Sequence, residues 1–125
     1  MALTAAGINH IARSIAGLGD PFSATNARLG VGNGTAPFVA SQTDLQGSSK
    51  LRKAMDDGYP IVNAPTVTFK STFGVGDANF AWNEWGIFNA ASGGVMLNRA
   101  VESNGVKQSN QTWVLEVAIT FEIGT

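Results

Sequence analysis

Near the C-terminus the chain alternates almost without error. In TWVLEVAITFEIG (112–124), Trp113, Leu115, Val117, Ile119, Phe121 and Ile123 fall on one side of an extended strand, and Val114, Glu116, Ala118, Thr120 and Glu122 on the other. Side chains of a β-strand point to opposite faces with a period of two. One face of this segment therefore requires a core, while the other can meet water or a neighbouring subunit. A lone strand is not stable in water, so the rest of the chain must supply the sheet that covers it.

The same period recurs upstream. Val67, Phe69, Ser71 and Phe73 alternate with Thr66, Thr68, Lys70 and Thr72, and Ala27, Leu29 and Val31 alternate with Arg28 and Gly30. Over 79–89 (NFAWNEWGIFN), Phe80, Trp82, Glu84, Gly86 and Phe88 take one face and Ala81, Asn83, Trp85 and Ile87 the other, so both faces carry bulky groups. A strand loaded on both sides belongs in the middle of a sandwich or under a subunit contact. Ser92-Gly93-Gly94 predicts a turn, VMLNRAVE (95–102) a returning strand, and Asn33-Gly34 and Asn104-Gly105 hairpin-type turns. Residues 35–50 read as a surface connection anchored by Pro37 and Phe38, and KLRKAMDDGY (50–59) as either a strand edge or one helical turn.

Residues 3–17 predict one short helix. Thr4 is the expected N-cap, Leu3 and Ile8 have the spacing of a hydrophobic staple, and Gly17, Gly19 and Pro21 end the helix. Ile8, Ile11, Ala12 and Ile15 form one narrow apolar stripe, to be packed on the chain's own sheet or on a neighbour. The expected fold is mainly β: a compact antiparallel β-sandwich over 23–125 with a short N-terminal helical arm over 1–22.

At 125 residues the chain fits one domain, by a prior of roughly 100–200 residues per domain, and such a chain buries about two-thirds of its unfolded surface without staples. It contains no cysteine, which excludes disulfides, cysteine-ligated zinc and thiol catalysis. Charged residues are 14% of the chain and the net charge is −1, against roughly 25% charged and a net magnitude of about 2–8 for a self-sufficient small domain. That composition suits a subunit covered by partners, and equally an ordinary weakly charged β protein. No basic patch with interleaved aromatics marks a nucleic-acid binder. No apolar stretch approaches a membrane span, and the first ten residues carry no Lys or Arg, with Gly7, Asn9 and His10 breaking the apolar run, so neither a membrane anchor nor a signal peptide is expected.

Motifs for chemistry are weak. His10 is the sole histidine and is expected at a helix surface or an interface, with no nucleophile-elbow sequence to complete a triad. Gly30-Val31-Gly32-Asn33-Gly34 has Thr35 where a dinucleotide fingerprint needs its third glycine, and no P-loop lysine follows; a tight β-turn is the expectation. Asp56, Asp57 and Asp44 lack calcium-loop spacing and read as solvated charges facing Lys50, Arg52 and Lys53. Neither a cofactor nor a metal is expected. Trp82, Trp85 and Trp113 raise a sugar-stacking reading, although Trp82 and Trp85 alternate and Trp113 lies on a wholly apolar face. Glu84 and Arg99 are expected partners; if buried, such a pair fixes strand register more than it stabilises.

The stretches NARLGVGNGTAPFVASQTDLQG (26–47), KLRKAMDDGYP (50–60), FAWNEWGIFNAASGGVMLNRAVE (80–102) and the closing strand resemble a family of small virion structural proteins of tailed bacteriophages infecting actinobacteria and their relatives. Glu84, Gly86, Ile87, Phe88, Gly93, Gly94, Leu97 and Arg99 also look like a core found in tail-collar and tail-fibre proteins. A fibre needs a long shaft and a receptor-binding tip, for which 125 residues leave no room. The resemblance therefore implies a non-enzymatic capsid decoration (cement) protein, made in the host bacterial cytoplasm and located in the virion. It would bind the major capsid protein or other virion proteins as a homo-oligomer, a trimer where it sits at local threefold positions. The alternative is a small tail-fibre or baseplate appendage that binds host glycan. Expected contact residues are Leu3, Ile8, Ile11, Ile15 and Phe22 of the N-terminal segment, with Trp82, Trp85 and Arg99.

Overall fold

A computed structural model of the chain describes residues 2–124. It contains strand β1 (Ala2–Leu3), helix α1 (Ala5–Ile15), and strands β2 (Arg28–Gly32), β3 (Lys50–Ala54), β4 (Ile61–Asn63), β5 (Thr66–Phe73), β6 (Glu84–Phe88), β7 (Asn98–Val101) and β8 (Trp113–Thr120). The strands form two antiparallel sheets, one ordered β1-β7-β6-β2-β3 and the other β4-β5-β8. The mainly β sandwich with one short N-terminal helix is the architecture that the alternation demands.

The core lies where the inward rows of the two sheets meet. Leu29 and Val31 of β2 and Trp85 and Ile87 of β6 face Phe69 and Phe73 of β5 and Val117 and Ile119 of β8, all buried. Removing a side chain such as Leu29, Ile87 or Phe73 from water contributes about 1.5–3 kcal/mol each. Strand β6 is central in the larger sheet and every one of its five residues is buried, as its two-sided loading requires. Its inward face meets the opposite sheet. Its outward face is covered by the long segment 33–49, which lays Leu45 over Phe88 and Met96.

Several local expectations are corrected. Asn33-Gly34 is not a hairpin turn: β2 continues into the 33–49 segment before β3 pairs with it, and the Asn33 side chain instead accepts a hydrogen bond from the Ser49 backbone at 3.0 Å. Residues 79–83 do not extend β6; they leave the sheet, tied by Trp82 N–H to Gly105 and Asn104 N–H to Trp82. Asn104-Gly105 does not close a hairpin: with Gly105 at φ 95°, it lies in the irregular connection that carries the chain from one sheet to the other, bonded to Trp82. The charged stretch 50–59 resolves as strand β3 followed by a turn.

The described part of the expected arm (2–22) is docked on its own sheet. β1 pairs with Asn98 and Arg99 of β7, and Thr4 caps α1 by accepting from the Gly7 N–H at 2.9 Å while its own backbone N–H reaches the Leu97 carbonyl. The helix approaches through Gly7, where a Cβ would run into the Leu97 backbone, and through His10, which is buried. That close approach turns Ile8 and Ile15 outward, 53% and 86% exposed, so the expected stripe is not the buried face and the Leu3–Ile8 staple leaves Ile8 in solvent. His10 is not at the surface: it meets Phe22 edge-on with ring centroids 5.3 Å apart, under Gly19. Although alanine is the better helix former, Gly7→Ala should therefore destabilise the protein by about 1–3 kcal/mol, because the added methyl pries the helix off β7. Chemical denaturation reads this directly, and a gain in stability would contradict the docking.

Candidate functional site

Two features of the folded chain have functional character: a buried ion pair inside the molecule and an apolar groove on its surface. The first organises the face of the large sheet that the 33–49 segment covers.

Glu84 opens β6 with its carboxylate pointing away from the sandwich core. Its Oε1 accepts from Arg99 Nε at 2.8 Å and from the Gln46 N–H at 2.8 Å, and its Oε2 accepts from the N–H groups of Gly34 and Gly47 at 2.9 and 2.7 Å. Both side chains of the ion pair are fully buried. Arg99 also donates to the Ala36 carbonyl at 2.9 Å and to Gln42 at 3.2 Å. The pair thus holds both ends of a long loop against the sheet. The glycine-rich run makes the space for it: a Cβ at Gly32 would strike the Glu84 carboxylate, and one at Gly30 the Phe88 ring. Gly30, Gly32 and Gly34 are a lane of missing side chains along β2 and its exit, not a tight turn.

Burial by itself would raise the Glu84 pKa. The donors from Gln46, Arg99, Gly47 and Gly34 outweigh it and hold the carboxyl below the ordinary glutamate value. Arg99 Nη2 is buried without a hydrogen-bond partner among the described residues, which marks the pair as a device for conformation rather than for net stability. Around the same loop, Asp44 meets Lys50 at 2.9 Å and Arg52 at 3.3 Å, while Arg52 stacks 3.7 Å from the Phe88 ring centre and donates to the Ala90 and Gly93 carbonyls. Asp56 holds Thr72 through its backbone N–H and hydroxyl.

The groove lies where α1 and the following loop cross the end of the smaller sheet. Ile11, Pro21, Phe22, Val67, Phe69, Leu97, Ile119 and Phe121 line an open hollow of about 240 Å³, with His10 and Ser14 as its polar members. A second hollow, lined by Val62, Ala64, Pro65 and Thr66, shares Val67 and Phe121 with it, so the apolar strip is continuous from the helix to β4. Ile15, one helical turn beyond the groove-lining Ile11, is exposed, as is Val62 of the second hollow.

Of the expected contact residues, Ile11 and Phe22 line the groove and Ile8 and Ile15 are exposed, whereas Leu3 packs partly buried against the core. Trp82, Trp85 and Arg99 are buried, at 4%, 9% and 1% exposure, so they are core residues rather than the expected displayed contacts. Trp82 does not oppose Trp85 across the sheet. It has left the strand and joins the same core, edge-on to Phe73 and Trp113 at centroid distances of 4.8 and 5.0 Å, so these two rings offer no platform for a sugar. Val67, Phe121 and Val62 also line the strip, although they are not among the contact residues expected from the sequence. The one available signal was that Phe121 and Ile123 continue the apolar row past the point where β8 stops. Among the described residues no helix is long and apolar enough to cross a membrane. In comparisons with protein-family models, curated proteins and solved structures, the chain matches none.

The sign of the Glu84 shift sets a pH dependence. A carboxyl whose folded pKa is depressed contributes stability above its unfolded pKa, and that contribution is lost as pH falls through the folded value. Wild-type protein should lose stability below about pH 5 more steeply than Glu84→Gln, because the variant lacks this one titrating carboxyl. At neutral pH, Glu84→Gln should cost about 3–5 kcal/mol by leaving Arg99 buried without its counter-charge. Urea denaturation across this range checks both; a neutral-pH loss under about 1 kcal/mol would remove Glu84 as the organising group.

Proposed function

We propose that this chain is a non-enzymatic structural protein of a tailed-phage virion, a capsid decoration protein that binds the outer shell and stabilises it. The observation that carries this reading is the continuous apolar strip from α1 to β4, set on a sandwich whose 33–49 loop is held by the buried Glu84–Arg99 pair. Large exposed apolar groups in one strip are a mark of protein contact. A rigid scaffold limits the ordering entropy lost on binding. The low charge, with a net of −1, adds little long-range repulsion between closely spaced copies on a lattice. The resemblance of 26–47 and 80–102 to phage structural proteins supplies the choice of partner, the major capsid protein.

The mechanism is linkage. A ligand that binds only the assembled shell stabilises it by mass action, and many equivalent modest contacts add across the lattice. In this arrangement Ile15 and Phe121 reach the partner, while Glu84 and Arg99 keep the surface in one shape.

Copy number in purified particles tests the reading. A decoration protein is present in hundreds of copies and remains on tailless heads; a tail or baseplate appendage is present in a few tens at most and is lost with the tail. Ile15→Glu should leave folding stability within about 0.5 kcal/mol, since the side chain is exposed, yet lower occupancy on shells in a co-sedimentation assay. Unchanged occupancy would remove the α1 end of the strip from the contact.

A further inference from the structure

We propose that two copies of this chain pair antiparallel through the free edge of β8, joining their small sheets into one continuous six-stranded sheet. The inference is independent of the virion reading, because it concerns the purified chain alone.

The two sheets have four edges, and three are blunted. β1 is two residues long; β4 is three residues long and sits between Pro60 and Pro65; β3 carries Lys50, Arg52 and Lys53. Short strands, prolines and lysines are the usual means of stopping edge-to-edge association. β8 has none of them. It is eight residues long, holds Glu116 as its one charged residue, and is rich in the residues that favour strands.

The direction of its backbone groups follows from β5. The Lys70 carbonyl and the Thr72 N–H are both bound by Asp56, on the side of β5 away from β8. The odd residues of β5 therefore point their backbone groups at β8, where Phe69 faces Val117 and Ser71 faces Leu115. Phe121 N–H bonding to the Pro65 carbonyl follows the same parity. The backbone N–H and C=O groups of Val114, Glu116, Ala118 and Thr120 thus point out of the sheet edge, and among the described residues no backbone or side-chain group of the chain bonds them.

A second copy is the occupant that fits this edge. Antiparallel pairing about a two-fold axis is self-complementary, so one strand supplies both halves. Centred on Val117, it sets Glu116 opposite Ala118 and Val114 opposite Thr120, and avoids placing Glu116 directly against its own copy, where like charges oppose. On the inward side the same register sets Leu115 beside Ile119 of the other copy, covering the half-buried Leu115 at the sheet's margin.

Sedimentation velocity on the full chain over a range of concentrations, with amide hydrogen exchange on the same samples, tests this. The wild type should be a dimer. The amides of Val114, Glu116, Ala118 and Thr120 should gain protection as concentration rises, while those of Leu115 and Val117, bonded within the sheet, stay protected throughout. Ala118→Pro, which removes an outward N–H without touching the β5 ladder, should be monomeric with an unchanged near-ultraviolet spectrum. Ala118→Glu should weaken the dimer about tenfold and Ala118→Lys should not, because position 118 faces Glu116. A wild type monomeric at every concentration, a dimer with unprotected even-numbered amides, or an Ala118→Glu that dimerises as well as Ala118→Lys would each overturn the proposal. If Ala118→Pro fails to fold, the exchange pattern and the charge pair still decide.

Discussion

A carboxylate with no exposed surface must be neutralised and have its lone pairs filled, or the strand that carries it is not stable where it stands. Glu84 sits at the head of the central strand of the larger sheet, and the neighbouring structure on that face follows from meeting this requirement. Arg99 supplies the charge from the adjacent strand. Three backbone N–H groups, from Gly34, Gln46 and Gly47, supply the remaining donors, and they are available because the 33–49 segment folds back over the sheet. The glycines of β2 are then a steric consequence, since any side chain at Gly32 would occupy the volume of the carboxylate.

How much of this is legible in the residues depends on whether an interaction is local or distant. The period-two rows of β5 and β8 and the two-sided loading of β6 are read from the sequence because each strand carries its own pattern of burial. The Glu84–Arg99 pairing is also legible, two opposite charges in apolar segments either side of a turn. The meaning of GVGNG is not: glycine spacing resembles a turn when the group that needs the space lies fifty residues further on. The helix fails differently. Its isoleucines outline a stripe, but the docking face is set by what can come closest, and Gly7 comes closest because it has no side chain. Trp82 is misplaced by period counting because the chain leaves the sheet at residue 83, which alternation alone does not reveal.

The groove owes its form to the same economy of side chains. The helix is drawn against β7 at Gly7, so its next turns stand over the margin of the small sheet, and the apolar residues there are only partly covered. Phe22 closes one wall by packing on His10, and Phe121 the other by continuing the β8 row past the end of its hydrogen bonds. A strip built this way is held from within, and its shape in the free chain is close to the shape a partner would meet.

The blunting of the other edges has a consequence for the size of any assembly. A sheet that lengthens by strand addition stops only when its terminal strands refuse a further neighbour. Once β8 is occupied, the outermost strands are β4 strands, each three residues long and bracketed by prolines, which give an incoming chain almost nothing to register against. In the proposed dimer, lengthening of the small sheet by strand addition therefore stops at two copies.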